Sequence, residues 1–71
     1  MVTGEIEVRG DAQVILLVDA ASGDTVGSAY ALDDEPGWWR GIGPNGKLRR
    51  LWVAPGVAKP GLDVGRRLVA G

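Results

Sequence analysis

Val14-Ile15-Leu16-Leu17-Val18 is a continuous run of five apolar residues, three of them β-branched. Turn-forming residues bound it: Gly10-Asp11 before it, and Ala20-Ala21-Ser22-Gly23-Asp24 after it. Such a run reads as a central strand covered on both sides. Everything around it suits a sheet. Upstream, Val2, Gly4, Ile6 and Val8 alternate with Thr3, Glu5, Glu7 and Arg9, a half-buried strand with a charged outer face. Downstream, Thr25 to Leu32 has unlike faces, with Val26, Tyr30 and Leu32 on one and Gly27, Ala29 and Ala31 on the other. The small face lets another backbone come close, from this chain or a neighbour.

Trp38 to Ile42 and Lys47 to Val53 form a second hairpin around Gly43-Pro44-Asn45-Gly46, where Asn-Gly supplies the positive φ that a tight turn needs. The alternation of the second arm is imperfect. A bulge near Arg49-Arg50 would bring Leu48 to the side of Leu51 and Val53. Beyond Ala54, Pro55, Gly56, Pro60 and Gly61 interrupt regular structure, and Leu62 to Ala70 suits either a strand or about two helical turns. The fold class expected is mainly β: a small five-stranded antiparallel barrel or sandwich over residues 1–54, with an extended C-terminal arm over 55–71.

Composition narrows the function. With 71 residues there is room for one small domain. The chain has no Cys and no His, which removes disulfides, the usual zinc sites and every Ser-His-Asp or Cys-His arrangement. No cofactor is expected. There is no membrane span and no basic-then-apolar leader, so the chain reads as soluble and unprocessed, cytoplasmic or part of a virion. Its apolar residues are small: nine Val, eight Ala, seven Leu, three Ile and no Phe. A core of that kind is marginal for a free monomer without a staple.

The net charge of −1 conceals a split. Glu5, Glu7, Asp11, Asp19, Asp24, Asp33, Asp34 and Glu35 stand against Arg9 alone in residues 1–35. Arg40, Lys47, Arg49, Arg50, Lys59, Arg66 and Arg67 stand against Asp63 alone in residues 36–71. Either the halves pack together and neutralise each other, or a bipolar surface associates head to tail or meets an acidic partner.

Three adjacent acids, Asp33-Asp34-Glu35 before Pro36-Gly37, read as a solvated turn better than as an acid–base pair across a cleft. Trp38, Trp39 and Arg40 with Lys47, Arg49, Arg50 and Trp52 interleave aromatic planes and cations, as single-strand nucleic-acid binders do. In a chain without Phe, however, Trp must also fill the core, and adjacent Trp38 and Trp39 face opposite ways.

Three resemblances accompany these readings. Residues 34–47, Asp-Glu-Pro-Gly-Trp-Trp-Arg-Gly followed by Asn45-Gly46-Lys47, resemble the Gly-Trp-Trp hairpin of Src-homology-three domains, whose first Trp lines a groove for proline-rich peptides. The family's Ala-Leu-Tyr-Asp-Tyr opening has no counterpart here, so peptide binding is not carried over. Val14 to Leu32, Leu48-Arg49-Arg50-Leu51-Trp52-Val53-Ala54-Pro55 and Val64 to Ala70 resemble the middle of GNAT-type N-acetyltransferases. That family follows a Leu-x-Val-x-Pro strand with a Gly-rich loop whose amides hold the acetyl-CoA pyrophosphate at a helix N-terminus. Here the loop, Gly56 to Gly65, is longer, Pro60 lacks an amide proton, and Asp63 adds negative charge. The resemblance implies a truncated or degenerate acyl-CoA-binding chain. In overall character the sequence resembles small phage structural proteins, capsid-decorating or cementing subunits in particular.

The expectation is a non-enzymatic subunit of a larger assembly, a phage virion component such as a capsid decoration protein by that last resemblance. Its partner would be a protein or copies of itself, with an acidic surface facing the basic C-terminal half. The interface residues expected are Trp38, Trp39, Trp52, Arg49, Arg50, Arg66 and Arg67. An acyl-CoA binder is the alternative, and a small barrel binding single-stranded nucleic acid through Trp and Arg is the second.

Overall fold

The computed structural model describes residues 5–70, so the first half of the N-terminal strand expected from Val2 lies outside the described residues. Five strands follow one another: β1 (Ile6–Gly10), β2 (Val14–Asp19), β3 (Thr25–Ala31), β4 (Trp38–Ile42) and β5 (Leu48–Trp52). Each pairs antiparallel with the next, in the order β1-β2-β3-β4-β5. The sheet is open, with β1 and β5 as its two edges. A helix, α1 (Pro60–Ala70), follows. No helix among the described residues is long and apolar enough to cross a membrane.

The strands begin and end close to where alternation and turn residues place them. At Gly43-Pro44-Asn45-Gly46 only Gly46 takes positive φ, at 80°, and Asn45 Oδ1 accepts the N–H of Lys47 at 3.0 Å. The turn is thus a looser one than two positive-φ residues would make. The expected bulge at Arg49-Arg50 is absent, since Trp38 to Ile42 pair without a shift against Trp52 to Leu48. Leu48 therefore stays with Arg50 and Trp52. The register irregularity lies between β2 and β3, where consecutive Leu17 and Val18 pair with Gly27 and Thr25 and leave Val26 as the extra residue.

The C-terminal arm is not extended. Pro60 occupies the first helical position, where its missing N–H costs nothing, and the carbonyl of Lys59 accepts the N–H of Asp63. Gly61, Val64, Gly65 and Leu68 recur at three- and four-residue spacing and form the buried stripe. Those positions settle helix over strand, because alternation would have split Val64 and Leu68 from the two glycines. A Cβ built on Gly65 would come within 2.6 Å of Val8 Cγ2, and one on Gly61 within 2.6 Å of the Asp11 carbonyl oxygen. The helix thus lies directly on the sheet. The small residues of β3 and β4 serve the same contact: a Cβ on Gly41 would meet Ala29 Cβ at 2.7 Å and Leu68 Cδ1 at 2.9 Å. The small face of β3 thus packs within this chain, Ala29 beside Gly41 of the neighbouring strand.

The core is the layer between helix and sheet: Ile15, Leu17, Ala29, Trp39, Leu51, Val53, Val64 and Leu68, flanked by Ile6, Val8, Val26 and Ala31. It is one-sided. The apolar run of β2, expected to be covered on both sides, is covered on one over Val14 to Leu17. Ile15, Leu17 and Val18 are buried, Val18 beside the register shift, while Val14 and Leu16 are 51% and 41% exposed. Eleven helical residues cover a single face of the sheet, and the other has no element above it among the described residues.

Gly61→Ala gains about 1 kcal/mol of helix propensity on an exposed helix. Here its methyl meets backbone that must move, and overpacking of this kind costs about 1–3 kcal/mol. Urea unfolding should show the variant less stable than wild type; a more stable variant would mean that the helix does not sit this close.

Candidate functional site

The uncovered face follows from the register. One row across the sheet is Arg9, Leu16, Ser28, Ile42 and Leu48; the next is Val14, Tyr30, Arg40 and Arg50; the third is Trp38 and Trp52. Leu48 is 76% exposed, Tyr30 46% and Trp52 44%. Aromatic and aliphatic side chains and arginines thus share one surface, which the strands themselves hold in place.

The Trp corner is preassembled. The rings of Trp38 and Trp52 lie 5.7 Å apart at 56°, a tilted pair. The guanidinium of Arg50 sits 4.7 Å above the Trp38 ring and pairs with the carboxylate of Glu35. Gly37, at φ 87°, lies so close to the Trp52 ring that a Cβ there would fall 2.3 Å from Cζ3. Glu35 is therefore a partner of Arg50 at the end of the face, which gives the acidic loop a structural role. At the other side Arg9 pairs with Glu7 at 2.7 Å. Arg40, in the middle row between Tyr30 and Arg50, has no ion-pair partner among the described residues.

The expected interface residues divide. Trp38, Trp52 and Arg50 lie on the open face. Trp39 is buried in the core at 3% exposure. Arg49 donates from Nη1 to the carbonyl of Arg67 at 3.1 Å, and Arg67 donates from Nη1 to the carbonyl of Trp52 at 2.6 Å. Arg67 also faces Asp63 at 2.7 Å, one turn earlier on the helix. These arginines tie the end of α1 to β5. Arg66 is exposed on the helix, away from the open face. Val14, Leu16, Tyr30 and Arg40 complete the face and were not among the expected residues. The signal for them was the apolar run itself, once only one of its sides is covered.

A cleft of about 410 Å³ lies at the helix N-terminus, with Arg9, Asp11, Lys59, Pro60 and Gly61 in its wall. Asp11 closes the β1–β2 turn: its Oδ1 accepts the N–H of Gln13 at 2.8 Å and of Val14 at 3.0 Å. These bonds, the Gln13 one foremost, hold its carboxyl below the ordinary carboxylate range, while desolvation works weakly the other way. No group of three or more potential metal ligands occurs among the described residues.

No protein-family model, curated protein or solved structure matches the chain.

A carboxyl whose folded pKa is depressed stabilises the fold above its unfolded pKa, and that contribution disappears as pH falls through the folded value. Asp11→Asn keeps an acceptor but not the charge. Wild type should therefore be more stable than the variant at neutral pH, and the gap should close in acid, below the ordinary carboxylate range. Urea unfolding across a pH series measures this, and a gap independent of pH would remove the Asp11 account.

Proposed function

We propose that the chain is a non-enzymatic binding module, a small subunit that docks the open face of its sheet on a protein partner within a larger assembly. The observation that carries this reading is the exposure of two of the five residues of the β2 apolar run, Val14 and Leu16, beside Tyr30, Leu48 and Trp52. Contiguous apolar surface of this kind on a small soluble domain marks interaction sites, and aromatic side chains with Arg are the usual anchors of protein interfaces. The partner surface is apolar with a carboxylate placed for Arg40. A decorating or cementing subunit, which lies on a large body and is buried from one side, is the kind of assembly member that suits such a module. Nucleic acid fits the face less well, because Glu7 and Glu35 already occupy Arg9 and Arg50, and the whole chain is net negative.

Leu16→Glu places a charge in the centre of this face and leaves the core alone. Immobilised wild type should retain a stoichiometric protein partner from its own source, and the variant, with unchanged circular dichroism, should lose about 30-fold or more in affinity, the scale of one hot-spot residue. Equal retention by both proteins would overturn the reading, as would a single-stranded oligonucleotide that binds at low salt and is released by added salt.

The cleft at the helix N-terminus favours a second reading, an acyl-CoA-binding chain of the kind that the GNAT resemblance implies. Lys59 flanks the start of α1, where free N–H groups and the helix dipole suit a phosphate. Asp11 in the same wall opposes it. On this reading, coenzyme A at millimolar concentration raises the unfolding temperature, and Lys59→Glu removes the shift. No shift with wild type would leave the open face as the site.

A further inference from the structure

The two edges of the sheet carry a second surface: its backbone groups point outward in the plane of the sheet, and its side chains Arg9, Leu48, Arg50 and Trp52 border the open face. Because spatial order equals chain order, the acidic and basic halves of the sequence are not interleaved. β1, at one edge, presents Glu7 with Glu5 just before it; β5, at the other, presents Arg49 and Arg50. Strand-to-strand hydrogen bonding also fixes which backbone groups point outward. Asp11 N–H bonds to Val14 and Ala20 N–H to Glu5, so Ile6, Val8 and Gly10 direct their N–H and C=O groups away from β2. Val53 N–H bonds to Gly37 and Gly43 N–H to Lys47, so Leu48, Arg50 and Trp52 direct theirs away from β4.

We propose that these edges join copies of the chain head to tail, with β1 of one copy adding beside β5 of the next. Five antiparallel strands run alternately, so β1 and β5 point the same way, and a copy related by simple displacement presents its β1 parallel to β5. Parallel pairing sets an outward residue beside an inward residue of the neighbouring strand, with their side chains on the same face. Arg50 then lies beside Glu7 of the second copy, Leu48 beside Glu5, and Trp52 beside Arg9. The helices of all copies stay on one side.

In that register the C=O of Leu48 and the N–H of Arg50 bond to Ile6 of the second copy. The C=O of Arg50 and the N–H of Trp52 bond to its Val8. The next group along, the Trp52 carbonyl, already accepts Arg67 Nη1 at 2.6 Å. The ladder therefore stops where the chain has filled its own acceptor.

Charge selects this pairing among the possible ones. Pairing β5 with β5 brings together two edges that each carry Arg49 and Arg50, and pairing β1 with β1 brings together two edges in which Glu5 and Glu7 outweigh Arg9; edges of like net charge pair unfavourably. The heterologous pair joins edges of opposite net charge and sets Arg50 beside Glu7. Such an interface yields a ring if the rotation closes and a filament if it does not.

A pair of charge reversals tests it. Wild type should show a weight-average mass that rises with concentration in sedimentation at low salt, and salt should lower it. Glu7→Arg and Arg50→Glu should each sediment as a monomer. Mixed in equal amounts, they should associate again, the two variants alternating, because one contact keeps the native acid–base pair and the next carries it with the charges exchanged. Arg50→Glu also loses its Glu35 contact, so Leu48→Lys provides a variant on the same edge at an exposed position: it too should abolish association, with circular dichroism unchanged. Association of Arg50→Glu alone at the wild-type level, or a mixture that stays monomeric while wild type associates, would overturn the proposal. So would a wild type that remains monomeric at every concentration. Leu16→Glu leaves both edges intact and should associate like wild type, which separates failure of the edges from failure of the open face.

Discussion

The contact between α1 and the sheet through Gly61 and Gly65 governs the rest of the molecule. Without side chains at those positions the helix backbone comes down onto Val8 and Asp11, and Val64 and Leu68 reach Ile15, Leu17 and Trp39. That single layer holds every buried apolar side chain among the described residues but Val18. A short helix laid on five strands can bury one face only, so the fold that stabilises the chain also creates its uncovered surface. The usual two-layer solution for a sheet is complete on one side here, and Val14, Leu16 and Tyr30 stand on the other.

The two ends of the helix are secured by different means. At its start, Pro60 and the carbonyl of Lys59 set the first turn beside the β1–β2 corner, where Asp11 organises the loop. At its end, Arg49 reaches the carbonyl of Arg67, and Arg67 reaches the carbonyl of Trp52. Side-chain groups there satisfy a late helix carbonyl and one outward acceptor of an edge strand, both of which would otherwise face solvent. Arginines that look like free surface charge in the sequence thus hold α1 against β5.

Much of the sheet was legible because its strands are bounded by Gly, Pro, Asn and Asp at short intervals, and because period-two alternation marks their faces. What alternation did not reveal was the number of layers. A continuous apolar run such as Val14–Val18 looks the same whether one side or both are covered; only the count of covering elements distinguishes the cases, and that count turned on residues 60–70. There Val64 and Leu68 fit two periods, and glycines that normally argue against a helix are the ones that let it pack. The Trp pair was legible in kind, one in and one out, but its assignment required the register. Trp39 stands opposite Leu51 in the core, and Trp38 stands opposite Trp52 outside it. Leu48 follows the same logic: a bulge would bury this apolar residue, but the unshifted β4–β5 register leaves it exposed.

Order along the chain and order across the sheet coincide, and this gives the charge split its physical meaning. In a fold with crossovers, acidic and basic segments would interleave and their fields would cancel at short range. In an unbroken meander the separation survives, and one edge differs from the other in sign. Any regular meander with an odd number of strands has edges whose backbone groups are in phase for parallel addition, so backbone geometry alone selects nothing. Selection rests on the side chains beside those groups. Arg50 on one edge and Glu7 on the other reject their own kind and accept each other. Charged edges are commonly read as protection against pairing; edges of opposite charge protect only against the symmetric pairings and leave the head-to-tail one open.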